Sequence, residues 1–316
     1  MRIKIMITVI TFNPSIDTLY KLESFEIGKV QRAGDVKKSA GGKGINVARV
    51  LNQLGHSPIC MGFVGGYNGL YIKDEIKKIG LRDEFIKIDG ETRVCLNIID
   101  KNKVSTEILE SGPTVEENDM IKFERHLEHI LEETKILVAS GSLPKGLPID
   151  YYGLLGEICR IKNIKFILDT SGKYLESAIN SHIYMIKPNI DELEALCKCN
   201  INNKEDAIKE AYKLLRYNIE NICISMGKDG MILVNKDSIY EVKIPSIKIE
   251  NTVGSGDSSI AGFAYGLLND YSLKDCLRLS NACGMSNAMN IKTGFIDVNE
   301  VEKLFKEIEV LEYSKI

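Results

Sequence analysis

Between residues 135 and 226, short runs rich in Ile, Val and Leu alternate with longer segments whose apolar residues fall three or four apart. Few folds accommodate that rhythm. The runs are "KILVAS" (135–140), "KFILDT" (165–170), "IYMIKP" (183–188) and "NICISM" (221–226), and between them lie "DYYGLLGEICRIK", "DELEALCK" and "EDAIKEAYKLLRY". Strand, helix, strand in repetition implies a mostly parallel central sheet, because parallel neighbours need a crossover connection and a helix supplies it. The fold class expected is therefore α/β, with helices on both faces of the sheet.

Two stretches break this rhythm, residues 18–40 and 83–112. Within the second, "EFIKIDGETRVCLNIIDKNKVSTEIL" reads as consecutive strands joined by turns at Asp89-Gly90 and Lys101-Asn102. A small β lid made of about 18–40 and 83–112 is expected on a single main domain covering 1–316. No linker, low-complexity tract or internal repeat divides the chain. The N-terminal "MRIKIMITVITFNP" reads as a first strand, since its apolar run reaches Pro14 without a small-residue cleavage site.

Composition excludes several function classes. A formal charge of -3, with acids and bases mixed throughout, offers no footprint for a nucleic-acid backbone or an anionic membrane. No run is long enough to span a bilayer, and 44% apolar residues suffice for a substantial core. The eight cysteines, among them Cys60, Cys95, Cys159 and Cys223, are scattered through strands and helices as small apolar residues, which suits a reducing, cytoplasmic setting. Cys197 and Cys199 lack a second ligand pair at zinc-site spacing, and His126 and His129 lie on a charged helical segment, so no metal is assigned to either pair.

Four clusters carry chemistry. In "NTVGSGDSSIAGFAYGL" (251–267) a glycine turn opens a helix, leaving backbone amides free for an anion such as a phosphoryl group in transfer. Gly254, Ser255 and Gly256 form that turn, and Asp257 is either a general base facing the same spot or simply a helix cap. In "SAGGKGINVARVLNQLG" (39–55) a second glycine turn, with Gly42, Lys43 and Asn46, suits a phosphorylated or polyhydroxylated ligand, or is a plain glycine-rich helix start. "IKPNIDELEAL" places Lys187, Asn189 and Glu192 where a helix begins; Glu192 is either a magnesium-type carboxylate or a first-turn acid complementing the helix dipole. "SMGKDG" places Ser225, Gly227 and Gly230 after a strand, as a nucleotide contact or a hairpin turn. Neither G-x-x-x-x-G-K-[ST] nor G-x-G-x-x-G occurs, which argues against a Walker A loop and a dinucleotide fold.

Taken together, "GGKGINVARVLNQLG" and "NTVGSGDSSIAGFAYGL", with "KPNIDE" and "SMGKDG" between them, resemble the signatures of the ribokinase-like, PfkB-type carbohydrate kinases over nearly the whole chain. "TFNPSID", "GETR", "SGSLPKGLP" and "LDTSG" resemble the branch acting on ketohexose monophosphates, which holds tagatose-6-phosphate kinases and 1-phosphofructokinases. "TEILESGP", "GSGDSSIAG" and the C-terminal "GMSNAMNIKTGFIDVNEVEKLFKEIEVLE" are more similar to the former. The resemblance implies a three-layer α/β/α sandwich, ATP and Mg²⁺ as cofactors, a ketohexose phosphate as substrate, and a homodimer joined through the lids. It implies Asp257 as catalytic base, with the amides of Gly254 to Asp257 as anion hole. Asp17, Gly42, Asn46 and Ser142 would hold sugar hydroxyls, Lys43 and Arg93 the substrate phosphate, and Arg32 would reach a neighbouring subunit's site. Lys187, Asn189, Ser225, Gly227, Gly230 and Asn281 would contact ATP, and Glu192 would serve magnesium. Many relatives have Asp and Ala where this chain has Asn251 and Ser255, so a monovalent-cation site built on that aspartate is not implied. A non-catalytic sugar-phosphate sensor is the reading from another class, and the intact "GSGD" argues against it.

Overall fold

The fold is described from a computed structural model covering residues 6–102 and 104–314. In chain order the first strands are β1 (Met6–Thr11), β2 (Ser15–Lys21), β3 (Asp35–Gly41), β4 (Ile59–Gly65), β5 (Arg82–Asp83), β6 (Ile86–Ile88), β7 (Val94–Ile99) and β8 (Ser105–Leu109). They are followed by β9 (Thr134–Ser140), β10 (Lys165–Asp169), β11 (Ile183–Ile186), β12 (Ile219–Ser225), β13 (Met231–Asn235), β14 (Ser238–Lys243) and β15 (Glu309–Ser314). The first strand expected from the N-terminal segment is seen from Met6 onward; its first five residues lie outside the described ones.

The large sheet runs β15-β14-β13-β12-β11-β10-β9-β1-β4-β5, with β6 also paired to β4. From β12 to β5 all neighbours are parallel, and β13, β14 and β15 extend the other edge antiparallel. Alternation along the central strands sorts the core into two layers. Ile7 and Val9 of β1 and Ile136 and Val138 of β9 face one cluster, while Ile10 and Leu137 with Ala139 face the other. Helices Lys43–Gln53, Gly66–Lys78, Ser255–Leu268, Leu273–Ala288 and Val298–Glu307 close the first face. Helices Glu117–Ile130, Tyr151–Lys162, Lys173–Ala178, Ile190–Cys197 and Lys204–Leu214 close the second. Each fully buried Ile, Leu or Val stabilises this arrangement by about 1.5–3 kcal/mol. The α/β/α layering expected from the alternation is the observed fold.

A separate four-stranded sheet has the order β3-β2-β7-β8. The turn expected at Lys101-Asn102 joins β7 to β8, antiparallel with Ile99 opposite Ser105. Asp89-Gly90 does not make the expected hairpin. β5 and β6 pair parallel with β4 in the large sheet, so the second segment of the small sheet begins at Val94 and not near residue 83. Leu81, Phe85 and Ile88 are buried, and burial of that apolar edge against β4 decides the pairing. Gly90 then turns the chain from one sheet into the other.

The parallel strands fix where a ligand can sit. Asn13 follows β1, Ser142 follows β9, Asp169 ends β10, Lys187 and Asn189 follow β11, and Ser225 ends β12. All lie at carboxyl ends, where open α/β sheets present their crevice. β1 lies between β4 and β9, so chain order reverses there. No helix among the described residues is long and apolar enough to cross a membrane.

Candidate active site

The helix Ser255–Leu268 begins after Gly254, whose φ of 81° lies in the left-handed region. A side chain at that position would be strained and would also meet Thr293 Cγ2 at 2.7 Å. Gly254 offers no side-chain cap, and the amides of Gly256 and Asp257 have no protein acceptor among the described residues. Those donors and the helix dipole are suited to an anion. Asp257 is the third helical residue, 6% exposed, and does not cap the helix. The cap is Gly254, and the Asp257 carboxylate instead accepts a hydrogen bond of 2.9 Å from Asn46 Nδ2.

Asn46 is buried in the helix Lys43–Gln53, so the two glycine-opened helices meet at this bond. Lys43, the first residue of that helix, pairs with Asp169 at 3.4 Å. Lys187 is buried just beyond β11, and a Cβ on Gly256 would lie 3.2 Å from its Nζ. Two carboxylates in one pocket are thereby separated in acidity. Burial and the negative charge of Asp169 push Asp257 up to about 6, against the opposing pull of Lys43, Asn46 and Lys187. Burial also presses on Asp169, but Lys43 and Lys187 outweigh it and hold that carboxyl below its ordinary range. The Asp169 charge holds the Lys43 ammonium strongly protonated, against the opposing effect of burial. One carboxylate stays ionised and the other is poised near neutrality, the division that acid–base chemistry needs.

On the side of the small sheet, Asp17 in β2 accepts a 2.6 Å bond from Ser15 Oγ. Its carboxylate occupies the space a side chain on Gly41 would need, with a Cβ there only 2.1 Å away. Burial raises the Asp17 carboxyl, while Ser15, Arg49 and Arg93 act in the opposite direction. Gly42 precedes the Lys43 helix with φ 106°. Arg93 donates to the Asn13 carbonyl through Nε and Nη2 at 3.2 and 2.9 Å, and to the Glu110 carbonyl at 3.2 Å. It braces the start of β2 and keeps donors to spare. Ser142 is partly buried in the turn after β9, and Arg32 is exposed in the loop between β2 and β3.

On the other side, Asn189 and Glu192 form a capping box on the helix Ile190–Cys197. Glu192 N donates to Asn189 Oδ1 at 2.8 Å, and Asn189 N to Glu192 Oε2 at 3.0 Å. Both side chains therefore have a structural task in addition to the ligand roles expected of them. Asn189 and Ser225 are bridged side by side, and Ser225 Oγ donates to the Pro188 carbonyl at 3.4 Å. Gly227 opens a short 3-10 turn that joins β12 to β13, and Gly230 ends it. "SMGKDG" is thus a hairpin connection at the crevice rim. Asn281 is buried, its amide given to the Leu277 carbonyl at 2.9 Å and lying near Met231 Sδ.

No group of three or more metal-type ligands occurs among the described residues. Glu192 keeps Oε1 outside its capping bond, a carboxylate oxygen of the kind that suits magnesium, which is held by one or two carboxylates together with phosphate and water oxygens. Three residues that the sequence reading did not single out belong to this neighbourhood. Asp169 is one, an acid ending an apolar strand. Arg49 donates to Asn46 Oδ1 at 2.9 Å and to the carbonyls of Thr293 and Ala40. Asn287, fully buried, donates to Val253 O at 2.9 Å and Ser255 Oγ at 3.1 Å, and accepts from Gly294 N at 2.8 Å.

Comparison with known proteins decides the family, since the pfkB family of carbohydrate kinases matches residues 10–296. The chain belongs to that family. It is 42% identical to a tagatose-6-phosphate kinase of Staphylococcus epidermidis over 310 residues, covering 97% of this chain and 100% of that one. A crystal structure of a putative phosphofructokinase from Staphylococcus aureus superposes with a TM-score of 0.85 at 31% identity, covering 98% and 100% of the two chains. Phosphofructokinase-2 from Escherichia coli in complex with potassium superposes with a TM-score of 0.89 at 26% identity, covering 96% and 98%. This pfkB kinase is accordingly an ATP-dependent sugar kinase, as its motifs lead one to expect.

Proposed function

We propose that this kinase transfers the γ-phosphoryl group of ATP to the 1-hydroxyl of D-tagatose 6-phosphate, giving the 1,6-bisphosphate. The observation that carries the chemistry is Asp257, a buried carboxylate poised near neutrality beside the free amides at the start of its own helix. The substrate choice rests on the 42% identity to a tagatose-6-phosphate kinase over nearly the whole chain.

Asp257 takes the proton of the sugar hydroxyl as its oxygen bonds to the γ-phosphorus, and the bond from that phosphorus to the β–γ bridging oxygen breaks to release ADP. The amides of Gly256 and Asp257, with Lys187 beside them, face the charge on the transferring group. Lys43 leaves Asp169 for the incoming anion, and Asp17, Asn46 and Ser142 hold sugar hydroxyls, while Arg93 reaches the sugar phosphate. Asn189, Ser225, Gly227, Gly230 and Asn281 line the nucleotide side. Glu192 would hold magnesium, which supplies neutralisation of the triphosphate charge when bound. Closure of the small sheet as a lid excludes water, the competing nucleophile. We read the glycine turn as held by protein groups alone, because Asn251 Nδ2 donates to Ile291 O at 3.1 Å and Thr293 Oγ1 at 3.3 Å, in place of any ion. The same lid, with Arg32 on its exposed loop, joins two copies.

The test is turnover with Mg-ATP on tagatose 6-phosphate, fructose 1-phosphate and fructose 6-phosphate, beside the Asp257→Asn variant. Highest kcat/KM on tagatose 6-phosphate and loss of turnover with ATP binding retained are expected. A higher kcat/KM on fructose 1-phosphate would make the enzyme a 1-phosphofructokinase, and an active Asp257→Asn would remove the base.

A further inference from the structure

Arg49 lies one turn beyond Asn46 in the same helix, where its guanidinium meets three separate parts of the chain. It donates to Asn46 Oδ1 at 2.9 Å, to the Ala40 carbonyl at the end of β3 and to the Thr293 carbonyl at 3.3 Å. No carboxylate pairs with it among the described residues. A cation held by neutral oxygens alone has a cost in desolvation, and burial lowers the pKa of this guanidinium, with Asp17, Glu75, Asp257 and Cys60 acting the other way. Gly294, with φ 65°, leaves the space: a Cβ there would lie 3.0 Å from Arg49 Nη1 and 3.2 Å from Asn46 Oδ1.

The chemistry of that contact settles which way the Asn46 amide points. Arginine only donates, so the Asn46 atom facing it is the oxygen. The NH₂ group is then left to face Asp257 Oδ2 at 2.9 Å. With Arg49 gone, the amide is free to turn its oxygen toward the carboxylate, where it favours the protonated acid.

We propose that Arg49 is a positioning residue for phosphoryl transfer, locking the Asn46 amide so that Asp257 is presented as an anion. The proposal rests on Asp257 as base. Facing Asp257 are Asp169, Lys43, Lys187 and Asn46; facing Arg49 are Asp17, Glu75, Asp257 and Cys60. Arg49→Met also removes the pull of the guanidinium charge on Asp17 and Asp257, which Arg49→Lys keeps.

The experiment compares kcat/KM from pH 5 to 9 for the wild-type enzyme, Arg49→Met and Arg49→Lys, with thermal melting of each. The sugar phosphate and ATP titrate identically in all three, so differences between profiles belong to the protein. Arg49→Met is expected to move the acid limb up by about one pH unit, leaving kcat/KM roughly five-fold lower at pH 6 and a gap that closes above pH 8. Arg49→Lys, which keeps a charge and a donor for Asn46 Oδ1, is expected to move it less. A loss equal at every pH, or an unmoved limb in both variants, overturns the proposal. If Arg49→Met does not fold, Arg49→Lys and the wild-type enzyme decide by ¹³C titration of the Asp257 carboxyl, whose midpoint must rise in the variant. An inactive Asp257→Asn beside an unmoved limb defeats only this inference, whereas an active Asp257→Asn defeats the base and the inference together.

Discussion

As the proposed base, Asp257 is under two opposed demands, since the buried carboxylate would have to ionise to accept a proton and its surroundings resist that ionisation. In the free enzyme, kcat/KM is expected to fall on the acid side with a midpoint near pH 6, read from a rate profile; a limb well below pH 5 would show the carboxylate to be better solvated than its burial implies. The same displacement bears on stability. A carboxyl raised from 3.8 to about 6 favours the folded state fully below pH 4, and that contribution is lost as pH climbs through 6. At pH 7 the ionised group costs about 3 kcal/mol. Asp257→Asn should therefore melt higher than wild type at pH 7, with the difference shrinking toward pH 4; equal melting at both pH values would contradict this. Asp257, Asn46 and Lys43 were legible in the sequence because each sits in a local signal, a glycine turn before an apolar helical run. Asp169, Arg49 and Asn287 were not, since what they touch is set by tertiary structure.

Among elements, the helix that carries Asp257 depends on its neighbours for its starting geometry. Asn287 ties Val253 and Ser255 to the backbone of Gly294, so the glycine turn and the loop at 293–295 are held as one piece. Asn287→Ala leaves the buried Gly294 amide and the partly buried Val253 carbonyl without this partner and is expected to cost about 1–3 kcal/mol in denaturant unfolding, with kcat falling more than KM rises. A change confined to KM would mean the turn keeps its shape without Asn287. Asn251 adds a second tie to the same loop. Turnover is therefore expected to be the same in potassium chloride and tetramethylammonium chloride, and a steep rise with potassium would show that the amide does not replace an ion. The strands and helices of the parallel layer were readable from period alone. The segment 82–90 was misread because Asp89-Gly90 signals a turn without saying which sheet receives the strand, a choice made by burial of Phe85 and Ile88 against β4.

For the whole molecule, the small sheet leaves apolar side chains in solvent, with Ile27 and Val30 almost wholly exposed in its long loop and Ile108 and Leu109 on β8. Exposed apolar groups concentrated on one layer suit a second copy as partner. Sedimentation of the wild-type chain is expected to give a dimer, and Ile27→Asp with Val30→Asp a monomer; an unchanged dimer would place the contact elsewhere. The three-layer architecture could be foreseen because strand alternation is local, whereas the assembly of the crevice is not. The bond from Asn46 to Asp257 joins residues 211 positions apart. During synthesis on a ribosome, Asn46 emerges long before Asp257, the proposed base. A nascent or truncated chain ending before the glycine turn holds half of the proposed site and lacks its proposed base, so the first phosphoryl transfer is expected to wait until the last third of the protein has closed over the first.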